Sequence, residues 1–222
     1  MTGTARVVFA VAAWLAIGGA GRRGAAQVSA TVGAFVAPTE HRVDAGFGLE
    51  RSFGLTFGTE GTVRVRRWLD ADLHLQGGTL SSDDAGVVDR DLAELGAQAR
   101  VRPVTWLAFT AGATRRTYSS VIARQRWTVL SVGAEMRLLF SGGAIGGILR
   151  VAALPVVDVD GLGDADGAFS VAAGMEYRRD RLEAALCYAL ERYEWPTAGV
   201  GGRRVEQLAA LTFLLRARVL GG

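Results

Sequence analysis

The chain has 222 residues, half of them hydrophobic and 21% charged, a length that suits one sizeable domain. Its 25 basic residues are all arginine, and a formal net charge of +3 is too small a balance to argue for nucleic acid as a partner. A single cysteine, Cys187, excludes an internal disulfide and cysteine-rich metal sites.

Residues 1–26 read as a secretory signal. Arg6 supplies the positive start, Val7 to Ala20 the apolar stretch, and Gly24-Ala25-Ala26 a small-residue cleavage site before Gln27. No cysteine stands at the cleavage point, so a lipoprotein signal is excluded, and residues 27–222 are taken as the mature domain. Beyond position 26 no uncharged apolar run approaches the ~20 residues that a membrane-spanning helix needs. The apolar residues must therefore hide in a packed core or face lipid from the outside of a barrel.

From Val28 onward the dominant period is two, as in a strand with one polar and one apolar face. Thr56, Glu60, Thr62, Arg64 and Arg66 alternate with Leu55, Phe57, Val63 and Val65, and Asp72, His74 and Gln76 with Leu73 and Leu75. Glu94, Gln98, Arg100 and Arg102 alternate with Leu95, Ala97, Ala99 and Val101; Ser131, Glu135 and Arg137 with Leu130, Val132 and Met136. Glu183, Cys187 and Glu191 oppose Leu182, Leu186, Tyr188 and Leu190, and Glu206, Thr212, Arg216 and Arg218 oppose Leu211, Phe213, Leu215 and Val219. On a helix, charges at every second position would leave no apolar stripe. The predicted strands are 28–37, 53–67, 71–80, 91–102, 105–118, 127–139, 145–156, 168–178, 182–194 and 205–219, that is about ten, with eight as the alternative count.

Short connections are expected at 68–70, 103–104, 140–144 and 179–181, and long ones at 38–52, 81–90, 119–126, 157–167 and 195–204. Such alternation of short periplasmic turns with long external loops belongs to an antiparallel up-and-down transmembrane β-barrel, and an even strand count brings both termini to the periplasmic side. Trp68, Trp106, Phe140 and Tyr177 lie near the short-turn ends, and Phe53, Tyr118, Trp127, Tyr193 and Trp195 near the long-loop ends, as two aromatic girdles would.

With its signal, alternation, girdles and turn asymmetry, the chain resembles the small outer-membrane β-barrel proteins, the group that includes the outer-membrane protein A transmembrane domain. The resemblance covers the whole mature chain as architecture, not as a motif. It implies outer-membrane location, lipid and lipopolysaccharide as surroundings, and the barrel assembly machinery as a partner. The chain departs from the group in ending Arg218-Val219-Leu220-Gly221-Gly222, without the usual terminal aromatic residue.

The polar face collects Glu60, Arg64, Arg66, Asp72, Glu94, Arg100, Arg102, Arg116, Glu135, Arg137, Arg150, Glu176, Arg178, Glu183, Glu191, Glu206, Arg216 and Arg218. In a barrel of about ten strands these are expected to bridge and plug the lumen; lining a narrow ion path is the alternative. Arginines crowd the short-turn end, where they read as a solvated rim able to touch anionic head groups. Asp158, Asp160, Asp164 and Asp166, spaced by glycines, offer the oxygens that a calcium ion needs, although the EF-hand frame fails; no other cofactor is expected.

A hydrolytic site at the rim, of the kind omptin proteases build from acidic pairs and a His-Asp couple, would draw on Ser81, Ser82, Asp83, Asp84 and His41, the last expected in a loop. His74 is expected inside, near the short turns beside Asp72. With no second convergent histidine and no nucleophile signature, no catalytic residue is assigned and the expected role is structural or interactive. Cys187 is expected as a small inward filler. A soluble periplasmic barrel holding lipid would require the two faces to be reversed.

Overall fold

The computed structural model describes residues 28–46, 48–82, 88–140, 142, 144–196 and 202–220, so the expected signal segment lies outside the described residues. Ten strands follow in order: β1 Ser29–Asp44, β2 Leu49–Arg66, β3 Leu69–Leu80, β4 Arg90–Val104, β5 Leu107–Ser119, β6 Arg124–Phe140, β7 Ile145–Val159, β8 Gly167–Arg179, β9 Leu182–Pro196 and β10 Arg203–Leu220. Each pairs antiparallel with its neighbour in sequence, and β1 pairs with β10, so the sheet closes into a barrel.

Alternation sets the two faces. Phe57, Leu95, Phe109, Leu149, Leu186 and Phe213 are exposed on the outside, while Thr56, Asp70, Arg116, Glu135, Glu176 and Glu206 are buried within. An apolar exterior around a polar interior overturns the soluble lipid-carrier reading and suits a barrel set in hydrocarbon.

The connections are 67–68, 105–106, 141–144 and 180–181 at the turn end and 45–48, 81–89, 120–123, 160–166 and 197–202 at the loop end, so 45–48 and 120–123 are no longer than 141–144. The loops are shorter than the sequence suggests because the strands run on. Strands of 12–18 residues, at a rise of ~3.3 Å and a tilt of ~40°, reach about 30–45 Å along the axis, against an apolar band of ~25 Å. Past that band the outward positions turn charged, at Glu40 and Arg42 on β1, Arg51 on β2, Asp91 on β4, Arg115 on β5 and Arg192 on β9.

β1 shows the largest difference from expectation, since it continues through Pro38 to Asp44. Pairing with β10 lapses between Val36↔Phe213 and Thr39↔Ala210, where proline has no N–H to give, while Pro38 stays opposite Leu55 of β2. Bulges change the phase elsewhere. One brings Arg66 opposite Leu69, on the other face from the Arg64–Asp70 pair. Another, at Leu154 to Val156 beside Pro155, turns Val157 and Val159 inward.

Candidate functional site

The polar contents of the barrel make the lumen the candidate site, and it is layered from the turn end to the loop end. Nearest the turns, a belt of ion pairs runs around the wall. Arg216 bonds Glu60 of β2 and Glu183 of β9. Glu183 accepts from Arg178 at 2.9 Å, and Arg178 also reaches Glu176 at 2.6 Å. Arg137 joins Glu176 at 3.5 Å to Glu135 at 2.7 Å, and Glu135 also takes Arg150 at 2.7 Å and Arg100 at 3.7 Å. Arg100 reaches Asp72 at 2.7 Å, and Asp70 holds Arg102 at 2.5 Å and Arg64 at 2.9 Å. From Glu60 to Arg64 the chain of contacts returns to β2, having touched every strand except β1 and β5.

Higher up stands a second group. Glu94 accepts from Arg116 at 2.5 Å and is 3.0 Å from His74 Nε2, while Arg116 also reaches Glu191 at 2.8 Å. The Tyr193 hydroxyl donates to Glu191 at 2.6 Å. His74 is thus paired with Glu94, not with Asp72 as its neighbourhood in sequence suggests. Its ring lies over Gly96, directly across the β3–β4 ladder, where a Cβ would stand 2.0 Å from the imidazole. Between this group and the belt lies a chamber of about 340 Å³ whose lining includes Gln76, Gln98, Ser131 and Cys187.

The loop end is closed by a packed apolar core. Leu80, Leu92, Tyr118, Trp127, Val129, Leu154, Val157, Val159, Tyr193 and Trp195 form one buried cluster, with Leu162 of the 160–166 loop packed on it. Trp127 is 1% exposed and meets Tyr118, Tyr193 and Trp195 edge-on at centroid distances of 6.0, 5.1 and 5.6 Å. Tyr118, Trp127, Tyr193 and Trp195 therefore belong to this cap and not to an outer girdle. Their positions are even-numbered from Arg116, Glu135 and Glu191, which already marked them as inward. Phe53 is exposed outside, as are Trp68, Trp106, Phe140 and Tyr177 at the turn end.

His41 also departs from expectation, since it lies in β1, is 3% exposed, stacks on Tyr118 at 4.7 Å and places Nε2 3.0 Å from Glu206. Arg204 completes that group, 2.6 Å from Glu206. His41 is therefore a strand residue turned into the barrel, not a loop residue. Ser81 makes a bridge to Phe53, and Asp83 and Asp84 lie outside the described residues. The aspartate loop does not gather either. Asp158 sits in β7 opposite Thr128, and the Asp160 and Asp166 amides donate to the carbonyls of Arg126 and Glu194. Among the described residues no group of three or more His, Cys, Asp or Glu side chains converges as a metal site would require.

No family model and no curated protein matches the chain. Among solved structures, the outer membrane protease OmpT of Escherichia coli aligns over 87% of this chain and 97% of its own, at 10% identity and a TM-score of 0.59. The translocator domain of the autotransporter NalP of Neisseria meningitidis aligns over 97% of this chain and 95% of its own, at 14% identity and a TM-score of 0.45. Neisserial surface protein A aligns over 86% and 99%, at 13% identity and a TM-score of 0.41.

The fold is that of an outer-membrane β-barrel. Of the eighteen inward charges expected from the sequence, Arg66 is the one that the β2 bulge carries outside, and Arg218 lies at the mouth without a carboxylate contact. Asp70, His41 and Arg204 are lumen residues that the alternation also pointed to but that stood at assumed strand ends or in assumed loops. The barrel thus has a lumen that is polar for most of its length and carries an apolar cluster at one end, beside the His41–Glu206–Arg204 group.

Proposed function

We propose that the protein is a closed, non-conducting outer-membrane barrel, exported by its leader and inserted by the assembly machinery, that works through its surfaces. In this reading the four turn-end connections face the periplasm and the five loop-end connections present themselves to lipopolysaccharide, a partner or another surface. The aromatic cap carries the proposal: a packed core of Trp, Tyr, Leu and Val stands inside the barrel at the loop end, where an ion would have to pass. The test is conductance in a planar bilayer. Wild-type protein should give no single-channel steps, and a Trp127→Ala/Trp195→Ala variant that still shows a heat-modifiable band should give small ones. Frequent steps from the wild type would overturn the closed reading.

One observation favours a narrow channel as the second reading. The chamber and the turn-end cavity share Thr62, Arg100 and Arg216 in their walls, so only the cap separates most of the lumen from the loop side. In that reading the cap would be a gate, and wild-type openings would depend on voltage or on a ligand. A hydrolase reading finds no support in the placement of His41.

A further inference from the structure

The turn end of the lumen differs from the loop end in being open and unbalanced in charge. A cavity of about 530 Å³ opens there, lined by nine arginines and three carboxylates. Five of the arginines follow a pattern. Every even-numbered strand ends at this mouth with an inward arginine: Arg64, Arg102, Arg137, Arg178 and Arg218. Four of these hold the same backbone position, their amides donating to a carbonyl of the hairpin turn alongside, at Trp68, Trp106, Ala144 and Arg181. The ring is a product of the hairpin repeat, one guanidinium per hairpin.

Ion pairing consumes only part of it. Arg64, Arg102, Arg137 and Arg178 have carboxylate partners in the belt, but Arg67, Arg181 and Arg218 line the cavity with no carboxylate within salt-bridge distance among the described residues. Of the two strands that the belt skips, β1 contributes hydroxyls to the wall. Thr31 stands directly across the ladder from Thr62 on one side and from Arg218 on the other, and Ser29 stands across from Arg64. Cross-strand partners share a face, so hydroxyls and guanidinium groups meet on one arc of the mouth. Forked guanidinium donors beside hydroxyl donors, in a concave site with surplus positive charge, suit the oxygens of a phosphoryl group.

We propose that this turn-end vestibule is a binding site for a multivalent phosphoryl anion, entering from the side of the short turns. Arg67, Arg181 and Arg218 supply the uncompensated charge, and Ser29 and Thr31 the neutral donors. Because the loop end is capped, the anion is held and not passed on. Phosphoryl oxygens could come from a soluble solute or from the head group of an anionic lipid at the rim.

The experiment is calorimetric titration of the folded barrel, in zwitterionic detergent at low ionic strength, with inorganic tripolyphosphate. Wild-type protein should bind with about one anion per barrel, and added salt should weaken binding because the donors are solvent-accessible. Arg181→Gln/Arg218→Gln should lower affinity at least tenfold, whereas Arg124→Gln/Arg126→Gln, which removes the same charge from the loop end, should leave it within twofold. Thr31→Asp sets a carboxylate between Arg218 and Thr62 and should weaken binding as much as the first double variant. The heat-modifiable band reports that each variant is folded. No binding by the wild type, or equal weakening by both double variants, would overturn the proposal. Repeating the titration in nanodiscs of phosphatidylcholine with and without phosphatidylglycerol separates the sources: loss of tripolyphosphate binding with the anionic lipid assigns the site to a head group, and retained binding to a soluble anion.

Discussion

The two ends of the lumen are built from the same alternation and filled by opposite chemistry. At the loop end the inward positions carry Trp127, Tyr193, Trp195, Tyr118 and Leu80, which pack into one buried apolar cluster. At the turn end they carry Arg64, Arg102, Arg137, Arg178 and Arg218, and the interior is an ion-pair lattice around an open cavity. The strand period fixes which side chains face in, but it does not fix what the inside is. Within hydrocarbon the outer face must be apolar, and past it the outward positions turn charged, while the inner face follows no such rule and changes character along the axis.

If that comparison is right, the largest loss of stability should come from the cap. Trp127→Ala removes a side chain that touches three other aromatic rings and should cost about 4 kcal/mol, as large-to-small core changes do. The measurement is urea unfolding in detergent or bilayer, followed by the mobility difference between folded and boiled samples. Trp106→Ala, which truncates a half-exposed outer residue, is the control and should cost about 1 kcal/mol. Equal losses would mean that the cap is no more of a core than the exterior belt.

Next in size is the belt. Glu135 is the shared acceptor of Arg137, Arg150 and Arg100, and its side chain is 1% exposed. Glu135→Ala leaves three guanidinium groups competing for Glu176, Asp72 and Asp70, and should cost about 3 kcal/mol, the range for breaking a buried pair from one side. A loss below about 1 kcal/mol would show that water in the chamber screens the lattice as it does a surface pair. The turn end would then contribute little to stability and be kept for another reason, which the vestibule proposal supplies.

Much of this was legible in the sequence, and the places where it was not share a cause. The period of two was enough for ten strands and for the inward side of almost every charge. It was not enough for depth. Trp127 stands eight positions before Glu135 and so on the same face, yet its position near a strand end suggested the lipid boundary; only the length of the strands beyond the apolar band shows that a strand end can lie inside the barrel and above the membrane. Pro38 was a sound reason to stop β1, and it fails because the ladder lapses on one side only. The outward turn of Arg66 depends on a bulge, and a single extra residue leaves no mark on composition. His74 found Glu94 because partners across a ladder, not along the chain, decide who meets whom.

The smallest expected effect tests that last point at the junction of the two regions. Gly96 lies across from His74, and its missing side chain leaves room for the imidazole to lie flat and reach Glu94 at 3.0 Å. Gly96→Ala must push the ring aside, since the new Cβ would stand 2.0 Å from it. A ring at the end of a flexible side chain can yield, so the cost should be that of one hydrogen bond, about 1 kcal/mol or less. Glu94 keeps Arg116, so the cap above and the belt below should both hold their stability. The readout is the His74 ring resonance by NMR in micelles, compared with Glu94→Gln. A matching change in both variants places the glycine among the residues that orient His74, whereas an unchanged ring in Gly96→Ala would show that the pair does not need the space and that the strand itself makes way.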